Sequence, residues 1–197
     1  KTIKLPKFDG IASSPTWHPN GESLALTISK KGNKDIYLYN FKSKDLKRLT
    51  TNSAIDTEAN FSPDGKSIAF TSNRTGQVQV YIKNLKSGKI KRATFEGRYN
   101  AKPVYSPDGN ELALIHRVGK DYRLALLDIS SRDLSVMTFN NSDESPYFSP
   151  NGGMIIFSTN KDNKGILSII SLHNNQIVEL MQKEGEIREP SWSNYSN

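Results

Sequence analysis

Residues 61–70 read FSPDGKSIAF, and this short stretch decides the fold. In the tight turn at 62–65, Pro63 presets φ at the second position, and Gly65 closes the turn where a side chain would clash. The large residues Ile68 and Phe70 then alternate with the small Ala69, which is the period of a β-strand. The stretch therefore predicts a turn that leads into a strand.

The same pattern recurs without gaps as WHPNGESLAL at 17–26, YSPDGNELAL at 105–114 and FSPNGGMIIF at 148–157. The turn prolines are spaced by 44, 44 and 43 residues, and they are Pro19, Pro63, Pro107 and Pro150. A broken fifth copy, PSWSNYSN at 190–197, places Trp192 44 residues after Phe148. A second proline precedes the aromatic residue in every copy except at Ala59, namely Pro15, Pro103, Pro146 and Pro190. A period of about 40 to 45 residues that contains only strand-like segments indicates the blades of a β-propeller.

Each period holds four strand-like segments, which in the second repeat are TEANF, KSIAFTSN, QVQVYIKNL and KIKRAT. Turn sequences separate them, so the four strands are expected to pair antiparallel. Both faces of a blade are buried between its neighbours, and tight stacking favours large side chains on one face and a small one on the other. The fourth repeat departs from this rule at Ile156.

We therefore predict an all-β chain that folds as a β-propeller with four-stranded antiparallel blades. Four full blades are expected at about 14–56, 57–100, 101–143 and 144–187, with partial strands at 1–6 and 189–197. This strand count does not close a ring, which predicts a truncation of a larger propeller. Apolar sheet edges exposed at its two ends would favour self-association.

The composition excludes several classes of protein. No stretch approaches the roughly 20 apolar residues of a membrane span, and the first residues, KTIKLPKFDG, lack the pattern of a signal peptide. The absence of cysteine excludes disulfides, a thiolate nucleophile and a cysteine zinc site. The net charge of +7 comes from dispersed Lys and Arg without an aromatic platform or a recognition helix. We therefore expect no membrane span and no nucleic-acid binding.

The sequence holds no convergent catalytic set. The three histidines fall at different places in the repeat: His18 in a turn, His116 late in a second strand and His173 at the end of a third. Such positions do not let them share a metal or face one serine. No G-x-S-x-G elbow occurs. We predict a binding protein with no catalytic residue, metal site or cofactor.

Three features together resemble the TolB propeller family: the FSPDG turn with its KSIAF strand, the segment IKNLKSGKIKRATFEG at 82–97, and the terminal PSWSNYSN. Members end with a similar Trp-Ser-Pro-Tyr segment, in which Asn194 replaces the proline here. The resemblance covers the whole chain and implies an α/β domain followed by six blades, so that this chain is a truncated six-bladed propeller. It also implies the periplasm of a Gram-negative cell and membership of the Tol-Pal system, which serves outer-membrane integrity, cell division and protein transport.

Loops that join the fourth strand of one blade to the first strand of the next surround the channel mouth, together with the loops between second and third strands. The inner loops are mostly acidic, with Asp56, Glu58, Asp143, Glu144 and Glu189 against Lys102 and Arg188. The outer loops are basic, with Lys30, Lys31, Lys34, Arg74, Arg117, Lys120, Lys161 and Lys164. An acidic mouth inside a basic rim would steer a partner of the opposite pattern.

The resemblance implies that a Pal-like lipoprotein docks over this mouth, and that TolA and colicins are further partners of the full-length protein. Alignment to the family points to Ile11, Ser14, Thr57 and Glu58 as partner-binding residues; repeat geometry adds Lys102, Glu144 and Arg188. We expect Glu58 to have no packing role. An alternative from another class stays open, namely the propeller of a prolyl-oligopeptidase-like serine peptidase that gates access of substrate.

Overall fold

The computed structural model describes residues 5–139 and 142–193, and within them the chain is all-β. The strands form four separate antiparallel sheets, each of four strands in sequential order. This architecture confirms the predicted β-propeller with four-stranded antiparallel blades.

Each blade begins with its innermost strand and ends with a short or exposed outer strand. Blade 1 contains β1 (Ile11–Trp17), β2 (Ser23–Lys30), β3 (Asn33–Asn40) and β4 (Leu46–Arg48). Blade 2 contains β5 (Asp56–Phe61), β6 (Ser67–Ser72), β7 (Gln79–Asn84) and β8 (Ile90–Arg92). Blade 3 contains β9 (Asn100–Tyr105), β10 (Glu111–Val118), β11 (Asp121–Asp128) and β12 (Leu134–Val136). Blade 4 contains β13 (Asp143–Phe148), β14 (Met154–Lys161), β15 (Lys164–Ser171) and β16 (Ile177–Glu184).

The proline-glycine turns close each first hairpin and also join neighbouring blades. In blade 2 the backbone N–H of Gly65 donates to the carbonyl of Ser62 at 2.8 Å, and Gly65 has a φ of 68°. The imidazole Nε2 of His18, in the equivalent turn of blade 1, lies 3.1 Å from the carbonyl oxygen of Gly65. A Cβ at position 65 would come within 2.6 Å of the His18 ring, so glycine is required there both for φ and for this close approach.

The core lies between consecutive blades, and it explains the large–small alternation. Ala25 of blade 1 packs in one cluster with Ile68 and Phe70 of blade 2. Ala69 and Ala113 likewise receive large side chains from the following blade. Each small residue therefore makes room for the next blade. Ile156 occupies the equivalent position in blade 4, on the face turned away from blade 3, where no described blade packs against it.

Among the described residues no core cluster joins blade 4 to blade 1. Apolar side chains stay open on the outer strand β16, where Val178, Leu180 and Met181 are each at least half exposed. The partial strands expected at 1–6 and 189–197 fall in part on residues 1–4 and 194–197, outside the described residues. Residues 5–6 and 189–193 belong to none of the four sheets, and the partial strands stay a prediction. A strand needs a hydrogen-bonded neighbour, and none of the four sheets extends to these segments.

Candidate partner-binding site at the channel mouth

The first strand of each blade is interrupted by a β-bulge. The pairing register shifts between Ser13 and Thr16 in blade 1, between Thr57 and Asn60 in blade 2, and between Glu144 and Tyr147 in blade 4. Blade 3 has the same irregularity in β9. A bulge re-aims the side chains beside it, and it tolerates the proline that occupies it in three of these strands because no ladder hydrogen bond is needed there.

One residue in each bulge, and its counterpart in the segment after blade 4, adopts a left-handed backbone. The φ values cluster between 48° and 55°, and the residues are Ser14, Glu58, Lys102, Ser145 and Glu189. A non-glycine residue in this region costs about 1–2 kcal/mol, and strain of this kind concentrates at functional sites. All five residues line a single cavity of about 220 Å³. The repeated strain therefore identifies this cavity as the candidate site.

Lys102 is the electrostatic centre of the site. Its Nζ lies 3.5 Å from a carboxylate oxygen of Glu144 and 3.5 Å from one of Glu189, and it lies 3.3 Å from the Ser145 hydroxyl. The Lys102 side chain is 28% exposed, whereas those of Glu144 and Glu189 are 49% and 78% exposed. Open ion pairs of this kind add little to stability. Their charges are therefore available to a partner.

Glu58 has a structural role in addition to its place in the cavity. Its Oε2 accepts hydrogen bonds from the Thr71 hydroxyl at 2.9 Å and from the backbone N–H of Lys102 at 3.2 Å. The carboxylate therefore ties blade 2 to the first strand of blade 3. The expectation that Glu58 has no packing role is therefore wrong. The sequence alone could not reveal this role, because the hydrogen bond joins residues that are 44 positions apart.

The predicted partner-binding residues separate into three groups. Ser14, Glu58 and Lys102 line the cavity together. Glu144 and Arg188 line a neighbouring cavity, also of about 220 Å³; Glu144 joins the first group through Lys102, whereas Arg188 pairs with Glu186 at 2.5 Å. Ile11, 77% exposed, and Thr57, which faces Thr71 in the β5–β6 pair, line neither cavity.

The five left-handed residues that line the cavity form a ring, and two of them, Ser145 and Glu189, were not among the predicted partner-binding residues. A signal for both was present, because each precedes a proline, Pro146 or Pro190, just as Lys102 precedes Pro103. The predicted residues Glu144 and Arg188 each lie one position too early, immediately before Ser145 and Glu189.

Fewer acidic side chains are exposed at the channel mouth than the sequence suggests. Asp56 is fully buried, and both of its carboxylate oxygens accept hydrogen bonds from Arg74 at 3.0 Å. Asp143 is also fully buried, and it accepts hydrogen bonds from the hydroxyls of Thr138 and Thr159. Both acids therefore stabilise the blades, and Arg74 does not contribute to the basic rim.

Tyr99 lies beside the acidic part of the site and stays neutral. Burial, with a smaller contribution from the negative charge of Glu58, raises the pKa of Tyr99 to about 12. Its ring packs edge-to-face against Tyr122, with the ring centroids 5.3 Å apart. The phenol therefore offers a neutral hydroxyl at physiological pH.

The described residues contain no group of three or more metal-ligating side chains. The histidines also stay apart: His18 bonds to the Gly65 carbonyl, His116 is buried against Asn100 at 2.9 Å, and His173 is exposed. The part of the chain that the structure describes contains no helix that is long and apolar enough to cross a membrane. The arrangement at the mouth is suited to binding a partner through charge and hydrogen bonds.

Comparisons with known proteins agree with the propeller fold. A family model described as "TolB beta propeller domain" matches residues 1–196. The "Tol-Pal system protein TolB" of Ruthia magnifica subsp. Calyptogena magnifica is 67% identical over 195 residues, which cover 99% of this chain and 46% of that protein. A crystal structure of TolB from Acinetobacter baumannii has a TM-score of 0.89 and 41% identity, covering 95% of this chain and 47% of the other. The chain thus spans about half the length of the curated relatives it matches.

The fold alone is shared more widely. A crystal structure of puromycin hydrolase has a TM-score of 0.69 at 15% identity, covering 86% of this chain and 28% of that enzyme. This likeness concerns the propeller architecture and not the chemistry.

Proposed function

Because the chain belongs to the TolB β-propeller family, we propose that it is a non-enzymatic, periplasmic binding platform of the Tol-Pal system. In this proposal a Pal-like lipoprotein docks over the channel mouth, and this contact supports outer-membrane integrity and cell division. TolA and colicins would be further partners of the full-length protein. The observation that carries the proposal is the ring of five left-handed residues in one cavity.

The chemistry of the ring supports docking of a protein. Lys102 is shared by two partly exposed carboxylates, so a partner can replace either carboxylate without leaving a buried charge unpaired. The buried Ser145 hydroxyl accepts from Lys102 and donates to Glu189, so it helps to hold both groups in place. The bulges fix the backbone of four of the five ring residues, so these groups are already in place before a partner binds. This lowers the conformational entropy that is lost on binding.

The peptidase alternative has weaker support. The likeness to puromycin hydrolase rests on the fold, at 15% identity. The chain also contains no G-x-S-x-G elbow. A gating propeller would need its catalytic residues elsewhere.

Titration calorimetry with a soluble Pal domain tests the proposal, using the chain in its full natural length. Lys102→Glu is expected to weaken binding by at least about tenfold, because it places an acid against Glu144 and Glu189. The matched control is Lys44→Glu, which makes the same charge change in the β3–β4 turn, at the end of the blade opposite the mouth. Equal affinities of the wild type, Lys102→Glu and Thr57→Ile would refute docking at this mouth.

A further inference from the structure

A groove separate from the channel runs between blades 2 and 3 on the outer side of the propeller. Its volume is about 410 Å³. Apolar residues from both blades line it, namely Ile82, Ala93, Leu127 and Ile129. Four cations line it as well, namely Lys89, Lys91, Arg92 and Arg132. An apolar groove bordered by positive charge is thus open at the surface.

The four cations of this groove have no carboxylate partner among the described residues. The guanidinium groups of Arg92 and Arg132 each lie 5.1 Å from the ring centroid of Phe95, whose side chain is 53% exposed. Asp128, in the same turn as Arg132, accepts hydrogen bonds at Oδ1 from Ser130 and the Ser131 N–H and forms no ion pair with Arg132. Within the described residues, no carboxylate therefore lies in ion-pair contact with the cations around the exposed ring.

The repeat shows that two of these four cations are particular to the junction of blades 2 and 3. Lys89 stands immediately before β8, where the equivalent residues before β4 and β12 are the acids Asp45 and Asp133. Arg132 has as its counterparts Gly88 in blade 2 and Asn175 in blade 4, whereas blade 1 carries Lys44. The positions of Lys89 and Arg132 therefore both carry a cation at the junction of blades 2 and 3. The same two positions carry no cation at the junction of blades 1 and 2 or at that of blades 3 and 4.

The end of the fourth strand gives a third comparison. Arg48 closes β4 and is paired with the buried Asp35 at 2.6 Å. Arg92 closes β8 in the same way, but the residue equivalent to Asp35 is Gln79, which bonds instead to Thr94 and Asn100. Within the described chain Arg92 therefore pairs with no carboxylate; its Nε donates to the Thr94 carbonyl at 2.6 Å, and its guanidinium lies over the Phe95 ring.

We propose that this groove binds an acidic segment of a protein partner, in which an apolar side chain lies between carboxylates. The apolar lining would take that side chain, and the guanidinium groups would hold the carboxylates through paired hydrogen bonds. A concave groove suits an extended peptide better than a flat membrane surface. The site would act independently of the channel mouth, so a loss of binding at one does not imply a loss at the other.

Fluorescence anisotropy tests this with a labelled nonapeptide of Glu and Asp around a central Leu, added to the full natural chain. Lys91→Glu with Arg132→Glu is expected to weaken binding by at least about tenfold, and Phe95→Ala by about threefold. The matched control is Lys44→Glu with Lys47→Glu, the equivalent positions in blade 1 with the same change of net charge. That control should alter affinity less than about twofold.

Three results would overturn the proposal. The first is an equal loss in the control, which would indicate general surface charge. The second is equal binding of a peptide in which Lys replaces the acids. The third is binding to phosphatidylglycerol vesicles without binding to the peptide, which would indicate an anionic membrane surface. Circular dichroism checks folding; should the double variant unfold, unchanged peptide affinity in the exposed Phe95→Ala variant would refute the proposal by itself.

Discussion

Replacing Glu58 by Ala is expected to destabilise the fold, because this carboxylate joins two blades. The change removes the acceptor of the Thr71 hydroxyl at 2.9 Å and of the Lys102 N–H at 3.2 Å. A hydrogen bond to a charged group contributes about 1.5–3 kcal/mol when buried. Glu58 is only half-buried, and Thr71 Oγ1 can still accept from the Lys102 N–H at 3.0 Å. We therefore expect a loss of about 2 kcal/mol in the free energy of unfolding.

Urea unfolding of the wild type, Glu58→Ala and Glu58→Gln measures this directly. Glu58→Gln keeps an oxygen acceptor with nearly the same shape, so it should cost less than about half as much. Thr71→Val on top of Glu58→Ala should cost further stability, because it removes the remaining acceptor of the Lys102 N–H. Equal stability of all these variants would refute the role of Glu58 as a tie between blades.

Three further predictions concern the blades themselves. Asp56→Asn should lower the free energy of unfolding, measured with urea, by about 3–5 kcal/mol, because it leaves the largely buried Arg74, 13% exposed, without its carboxylate partner. Burial lowers the pKa of His116, so the unfolded chain takes up a proton at a higher pH than the folded chain does. The free energy of unfolding should therefore fall as the pH drops below about 6.5. In urea titrations of the His116→Gln variant this dependence on pH should be absent. Gly65→Ala should lower Tm more than Gly21→Ala, since both have a left-handed φ but only Gly65 touches the His18 ring.

The blades could be predicted from sequence because their determinants are local. The turn at 62–65 and the alternation in 68–70 each depend on neighbouring residues, and the period of the repeat multiplies that signal. Ile156 departs from this alternation, and it is buried although no described blade follows blade 4. Alignment to the family pointed to Ser14 and Glu58 and repeat geometry pointed to Lys102, and all three line the same cavity.

The details of the site could not be predicted, because they depend on contacts distant in sequence. Asp56 and Asp143 look like loop acids, yet the fold buries both against donors from other parts of the chain. The left-handed backbone at Ser145 arises from the bulge in β13, which no single residue type specifies. Charge counted along the chain therefore overstated the acidity of the mouth.

Hydrogen–deuterium exchange of the full natural chain, with and without a soluble Pal domain, tests docking at the channel mouth most directly. The account predicts slower exchange in the bulged first strands, at 12–16, 56–60, 100–104 and 143–147. It predicts no change in the turns at the opposite end of the blades, at 62–65, 106–109 and 149–152. Protection of those turns, with unchanged exchange in the bulged strands, would contradict it.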